Sequence, residues 1–310
     1  MKDIYDILRV VKRRSGESFA LATLVRAEGS SYRRPGARML ICEDGLTIGS
    51  LSGGCLEEEV ALRARYVLET GEPTLISFDT RKRFGCHGKI DIYLERITEK
   101  FFLDLANDLD ARRNHIAITR VGGKEFAQKI HPPIRVLIFG EGPDNVPIRK
   151  LNESLGWQPI EIMNPDSLSI VPDEWTVAIV KSHNYGRDCA ALQKLLPMNL
   201  RYVGLIGPRR RRDQLLNDLL DVGVTINAGF FSPAGLDLGA ETPEEIALTI
   251  VSEIQRVFGH GSGFSLRERK TSIHGDITSP RSFRAESTNP GELPLDTATR
   301  SFDSASPRSG

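Results

Sequence analysis

From residue 134 onward, short uninterrupted apolar runs alternate with stretches that place apolar residues at helical spacing. No other feature narrows the fold as much. Ile134–Phe139, Ile160–Met163, Trp175–Val180 and Arg201–Ile206 read as strands. Leu215, Leu216, Leu219 and Leu220, then Ile246, Ile250, Val251, Ile254 and Val257, mark two helices. Strands that are apolar on both faces need cover on both faces, and helical crossovers between parallel strands supply it. The pattern predicts an α/β domain with a doubly wound parallel sheet. Its last helix starts at Thr242-Pro243-Glu244-Glu245, a capping box with proline at the first helical position, and ends at Gly259.

The first half is a different mixture of helices and strands. Ile4, Ile7, Leu8 and Val11 predict an amphipathic helix ending near Lys12-Arg13-Arg14. Phe19–Val25 reads as a buried strand, and Ala27–Ala37 as a loop rich in glycine, hydroxyls and arginine. That loop is either a surface connection or an anion-binding loop in which Ser30, Ser31, Arg33 and Arg34 donate to a phosphate. Arg38–Cys42 and Leu46–Ile48 form a hairpin around Asp44-Gly45. The next stretch, Gly49-Ser50-Leu51-Ser52-Gly53-Gly54-Cys55-Leu56-Glu57, passes from strand through turn to helix. Gly53 and Gly54 permit a tight turn and close approach to a ligand. Cys55 is placed in the helix's first turn, where unpaired N–H groups favour a thiolate. Glu57, Glu58 and Glu59 complement the helix dipole rather than acting as an acid–base pair. After the strand Thr74–Phe78, Gly85-Cys86-His87-Gly88 puts a second cysteine at the mouth of another strand. Cys55, Cys86 and His87 lack the short paired spacings of structural zinc.

The 310 residues allow two cores. The breaks fall at 1–130, 134–276 and a tail, 277–310, in which 17 of 34 residues are Ser, Thr, Pro or Gly, a composition that predicts disorder. Lysine plus arginine and aspartate plus glutamate both count 41, so no global charge argues for nucleic acid or an anionic membrane. Four cysteines without a CxxC pair suit a reducing compartment, and no apolar run reaches membrane-spanning length. The expectation is a soluble cytoplasmic protein.

In the second half, Gly140-Glu141-Gly142-Pro143-Asp144-Asn145 stands where a dinucleotide-binding fingerprint belongs, with Asn145 at the third glycine position. The second strand ends at Asn164, where a ribose-binding acid is expected. His183 ends the third strand, either as a site residue or as a local hydrogen-bonding group. Arg209, Arg210, Arg211 and Arg212 open a helix against its dipole, which a bound phosphate or simple solvation offsets.

These motifs together resemble the XdhC/CoxI proteins, accessory factors that load molybdenum cofactor into xanthine dehydrogenase and related molybdenum hydroxylases. The resemblance rests on 29–37, 49–57 and 85–88, then Ser182-His183-Asn184-Tyr185, Tyr202–Arg210 and Gly235–Ala247, with Arg267-Glu268-Arg269 and Ile273-His274 as a closing motif. It implies an N-terminal mixed α/β domain of that type followed by a Rossmann-like domain. It also implies a carrier rather than an enzyme, holding molybdenum cofactor (molybdopterin) through Cys55, Cys86, Gly53, Gly54, Ser52, Ser30, Arg33, Gly140, Gly142, His183 and Arg209. Cys55 and Cys86 would face the metal, because soft thiolates suit it. The implied partners are an apo xanthine dehydrogenase-type hydroxylase, a cysteine desulfurase and a second copy of the chain. A nucleotide is a further candidate ligand, although the glycine loop and Asn164 depart from the nucleotide-binding pattern. Two alternatives stay open: an NAD(P)-dependent oxidoreductase built on the second domain, and a thiol redox protein using Cys55 and Cys86.

Overall fold

The computed structural model describes residues 1–29, 31–54, 56–79 and 88–270. Met1–Ser265 forms one compact unit; of Leu266–Gly310, the described residues hold a 3-10 turn at Leu266–Glu268. The tail expected to be disordered, 277–310, lies outside the described residues.

The N-terminal half contains α1 (Lys2–Arg13), β1 (Phe19–Gly29), β2 (Arg38–Cys42), β3 (Thr47–Gly49), α2 (Glu57–Thr70), β4 (Thr74–Asp79) and β5 (Gly88–Ile97). A 3-10 turn at Glu99–Phe102, α3 (Leu103–Asp110) and the two-stranded pair β6 (His115–Val121) and β7 (Lys124–Ile130) follow. The main sheet has the order β3-β2-β1-β5-β4 and is antiparallel at every pairing. Both faces are apolar, so both are covered. Ala20, Ala22, Leu24, Met39, Ile41, Ile92 and Leu94 pack with Val60, Ala64 and Val67 of α2. Phe19, Leu21, Leu40 and Cys42 pack with Ile4, Ile7 and Val11 of α1 and with Leu105 and Leu109 of α3.

Two expectations need correction. The loop predicted to begin at Ala27 begins later, because β1 continues to Gly29. Its outer part alternates exposed Arg26 and Glu28 with Ala27 and pairs with Asp91, Ile90 and Lys89 of β5 after an irregularity between Leu24 and Arg26. The sequence pattern also closes this half on one strand, His115–Thr119, whereas β7 folds back on β6 through Gly122-Gly123. Lysine and glutamine, together with an acid, occupy four of the seven positions in β7 and hide the strand pattern.

The C-terminal half contains β8 (Arg135–Phe139), α4 (Asn145–Ser154), β9 (Gln158–Ile162), β10 (Thr176–Val180), α5 (Tyr185–Leu195), β11 (Val203–Leu205), α6 (Arg209–Asp221), β12 (Phe230–Phe231) and α7 (Pro243–Gly259). The sheet order is β12-β11-β10-β8-β9, all parallel, so the doubly wound expectation holds. Alternate residues of one strand serve opposite cores. Leu137 and Phe139 face Ala191, Leu192, Leu215 and Leu219, whereas Val136 and Ile138 face Ile148, Ala247, Ile250 and Ile254. The capping box of α7 is formed in full by Thr242 and Glu245.

The two halves meet at the amino ends of the parallel strands. Arg112 places Nε and Nη2 on the Asp173 carboxylate at 2.7 and 3.1 Å and Nη1 on the Pro133 carbonyl at 2.6 Å. Tyr5 Oη donates to the His131 carbonyl at 2.8 Å, and the His131 ring stacks on Trp175. Burial pushes the Asp173 carboxyl up, but the hydrogen bonds from Arg112 and Thr176 outweigh it and hold the group below the ordinary carboxylate range. Arg112→Ala is therefore expected to lower the unfolding free energy by about 1.5–3 kcal/mol in urea titration, the scale of hydrogen bonds to charged groups. A depressed carboxyl contributes stability above its unfolded pKa and loses it as pH falls toward the folded one. The stability gap between wild type and Asp173→Asn should thus be full at neutral pH and narrow below about pH 4.

Candidate functional site

Strand direction decides which motifs meet. In the antiparallel sheet, the end of β1, the start of β2, the end of β3, the end of β4 and the start of β5 all lie at one edge. Gly29 is paired directly with Gly88, and Gly49 with Met39. The strand ends that flank these motifs, Gly29 and Arg38, Gly49, and Asp79 and Gly88, therefore stand at the same end of the sheet. Sequence reading picked out 29–37, 49–57 and 85–88 separately, and the topology brings their flanking strand ends to one edge. Ser30, Cys55, Cys86 and His87 themselves lie outside the described residues.

The segment between β3 and α2 is organised by Glu57. One carboxylate oxygen, Oε1, accepts from Ser50 Oγ (2.9 Å) and from the N–H groups of Leu51 (2.9 Å), Ser52 (2.7 Å) and Gly53 (3.1 Å). The other, Oε2, accepts from Ser52 Oγ (2.7 Å) and from the N–H groups of Gly54 (2.9 Å) and Leu56 (3.1 Å). Gly53 and Gly54 have φ of +88° and +120°, which lets successive N–H groups converge on one anion. Burial raises the Glu57 pKa, yet the donors from Ser52, Leu51 and Ser50 overcome it and hold the carboxyl far below the ordinary range. Sequence reading gave Glu57 only a dipole role and missed this. The available signal was an acid three residues beyond a Gly-Gly pair preceded by two serines.

Helix α2 begins at Glu57 with Leu56 as its N-cap; the expected place of Cys55 in the first turn of the helix lies outside the described residues. The N–H groups on either side of Cys55, those of Gly54 and Leu56, are engaged by Glu57 rather than open to a thiolate. Tyr32 lies across this segment: a Cβ on Gly53 would stand 2.9 Å from its ring. Arg33 is ion-paired with Asp3 through Nη2, and Ser31 Oγ donates to the Arg33 carbonyl at 2.7 Å. Cys42 and Cys189 are the free cysteines among the described residues, and burial pushes both thiols up, away from reactivity. Among the described residues no group of three or more His, Cys, Asp or Glu side chains could hold a metal ion.

Gly140, Gly142, His183 and Arg209 collect at a second place, the carboxyl edge of the parallel sheet. The neighbouring strands β8 and β10 are where the chain order reverses, the usual ligand crevice of such sheets. Lys181, missed from the sequence, anchors this edge. Its fully buried ammonium donates to Asp144 Oδ1 at 2.8 Å and Asn145 Oδ1 at 2.6 Å. Asn145 in turn donates to the Gly140 carbonyl (3.0 Å) and to Glu161 (2.9 Å), which explains an amide where a glycine was expected. His183, in the left-handed region at φ +54°, holds Nε2 3.7 Å from Asp144 Oδ2. Asp188, wholly buried, receives Ser182 N–H and Oγ and Arg211 Nη2, and Arg212 pairs with Asp213. Arg209 and Arg210 are left exposed at the start of α6.

This edge offers little to a dinucleotide. Of the first three residues of α4, Asn145 and Val146 direct N–H to the Gly142 and Pro143 carbonyls, and Pro147 has none. Phosphate binding at a helix start needs those groups open. Asn164 caps the following 3-10 turn, and Asp166 pairs with Lys194 at 2.5 Å.

The junction between the two halves and this carboxyl edge lie at opposite ends of the parallel strands. The N-terminal half abuts the amino ends of the parallel strands, whereas Gly140 and His183 lie past their carboxyl ends, roughly 13 Å further along each five-residue strand.

The model of the XdhC and CoxI family matches residues 12–79, and the model of the XdhC Rossmann domain matches residues 136–254. The chain is 30% identical to a probable xanthine dehydrogenase subunit of Bacillus subtilis strain 168, over 77% of this chain and 92% of that protein. It is 25% identical to the molybdenum cofactor insertion chaperone PaoD of Escherichia coli K12, over 79% of this chain and 85% of that one. The crystal structure of a Bacillus halodurans xanthine dehydrogenase has a TM-score of 0.74 at 23% identity, covering 87% of this chain and 98% of that one; it shares the fold. Among the described residues no helix is long and apolar enough to cross a membrane.

Gly140 has φ +120°, and a Cβ there would stand 2.7 Å from Ser182 Cα, a backbone atom that cannot swing aside. Gly140→Ala is expected to cost about 1–3 kcal/mol of stability, read as a lowered Tm, because strain and collision both act at that point.

Proposed function

Because the chain belongs to the XdhC and CoxI family, we propose that it binds molybdenum cofactor, protects it, and inserts it into a xanthine dehydrogenase-type molybdenum hydroxylase during or after sulfuration. The observation that supports this reading is that the strand ends flanking 30–37, 50–56 and 80–87 share one edge of the antiparallel sheet. Two cysteines, Cys55 and Cys86, belong to those segments. The cargo is an anionic pterin with a phosphate and a thiol-bound metal. Soft thiolates match the metal, and Ser30 and Arg33 match the phosphate. Arg33 has one nitrogen on Asp3 and a planar fork of further donors, so an ion pair with Asp3 leaves it able to reach a phosphate.

The Ser-Gly-Gly segment serves differently from the phosphate cradle its composition resembles. Its N–H groups and the hydroxyls of Ser50 and Ser52 are occupied by Glu57, so in this reading the segment meets the cargo through the Cys55 side chain instead of through backbone donors. The role is that of a carrier rather than a catalyst. Its partners are the apo-hydroxylase and, for a sulfurated cofactor, a cysteine desulfurase. A second copy of the chain is a further partner in this reading.

The test is anaerobic mixing of the purified protein with isolated molybdenum cofactor, followed by a desalting column. Wild type is expected to carry cofactor through, and Cys55→Ala to lose most of it. Transfer to an apo-hydroxylase should follow the same order. Equal retention by Cys55→Ala would move the metal contact off that thiol. Absence of retention by wild type, with saturable NAD(P) binding in its place, would overturn the carrier reading in favour of an oxidoreductase.

A further inference from the structure

Among the described residues, seven hydrogen bonds from six residues converge on the Glu57 carboxylate, and each of these donors belongs to the segment Ser50–Leu56. Ser52 Oγ adds an eighth link by accepting from Leu56 N–H at 3.1 Å, and Ser50 Oγ another from Gly53 N–H at 3.1 Å. Five backbone N–H groups aimed at a common point would repel one another without an anion between them. An anion from outside would have to be bound at each folding event, whereas Glu57 is tethered to the first helical position of α2 and already at hand. The same helix buries Val60, Ala64 and Val67 against the sheet, so the carboxylate is fixed by the core.

We propose that Glu57 is a positioning residue: it acts as an internal anion that fixes the course of the segment carrying Cys55, and so sets where that thiol meets the cargo. The inference rests on the carrier reading for its functional consequence. Its structural content stands on the seven bonds alone. It assigns a use to the Ser-Leu-Ser-Gly-Gly pattern that differs from phosphate binding. The two serines and the paired glycines are needed to wrap the chain's own carboxylate.

The experiment uses wild type, Glu57→Ala and Glu57→Gln, with two readouts. The first is retention of molybdenum cofactor through an anaerobic desalting column. Glu57→Ala is expected to retain roughly ten-fold less or worse, the scale of one lost hydrogen bond to a charged group. Added acetate matches the atoms deleted from the side chain, and it should restore much of the retention where chloride at equal ionic strength does not. The second readout needs no cofactor: alkylation of the Cys55 peptide by iodoacetamide, followed by mass spectrometry. The rate should rise several-fold in Glu57→Ala and return toward wild type with acetate, while Cys189 stays constant. Glu57→Gln preserves side-chain bulk and gives the same two readouts should the smaller residue fail to fold. Its amide turns two donors toward donors, so it should behave like Glu57→Ala without acetate rescue.

Unchanged alkylation and unchanged retention in both variants would overturn the inference. Higher retention in Glu57→Ala would also overturn it, by showing that the carboxylate competes with the cargo for the same N–H groups. If wild type retains no cofactor while alkylation still depends on Glu57 and acetate, the carrier reading fails and the positioning of the segment stands.

Discussion

A carboxylate withdrawn from water keeps its charge only where donors replace the solvent, and Glu57 meets that requirement with an entire turn of backbone. The rest of the N-terminal site follows from this one arrangement. The turn can close around an anion because Gly53 and Gly54 adopt positive φ, and Tyr32 can lie against Gly53 because no Cβ stands in the way. Helix α2 starts where it does because its first residue is the one that reaches back. The segment between β3 and α2, which has no strand or helix of its own, thereby acquires a defined course at the sheet end where the other two motif segments also depart.

The same physics governs the carboxyl edge of the parallel sheet, with the signs exchanged. Lys181 is buried completely, and an ammonium there needs acceptors in place of water. Asp144 and Asn145 provide them, and both come from the loop that would hold phosphates in a dinucleotide-binding protein. An acid in that loop and an amide welded across three strands replace open N–H groups with an internally satisfied network. Asp188 does the same for Ser182 and Arg211. At both places polar groups that look available in the sequence are answered from within the chain.

This is why the fold was legible in the sequence and the site was legible only in part. Apolar patterning is a local signal, and it placed the four parallel strands β8 to β11 and the apolar faces of α1 and α7 without knowledge of what they touch, as the Thr242-Pro243-Glu244-Glu245 motif placed the start of α7. It failed where exposure breaks the pattern, as at Arg26 and Glu28 of β1 and along the polar β7. The motif segments were equally visible as stretches, because glycine, serine and cysteine stand out in composition. Their partners were not visible. Arg33 reads as a wholly free guanidinium until Asp3, thirty residues earlier in the chain, is found on one of its nitrogens. Lys181 reads as a loop residue until Asp144 closes over it. Glu57 reads as a helix-dipole acid until the backbone before it is seen to curl around its oxygens. Hydrogen-bond partners are set by tertiary approach, which spacing along one strand or helix does not encode.

The separation of the two places constrains what each half contributes to a carrier. The N-terminal half grips the parallel sheet at the amino ends of its strands, through Arg112 with Asp173 and Pro133 and through Tyr5 with His131. Gly140, His183 and Arg209 lie at the far edge, with the full depth of the sheet between. Arg209 and Arg210 stand exposed at that edge, so a substitution there leaves the junction of Arg112 with Asp173 and of Tyr5 with His131 untouched.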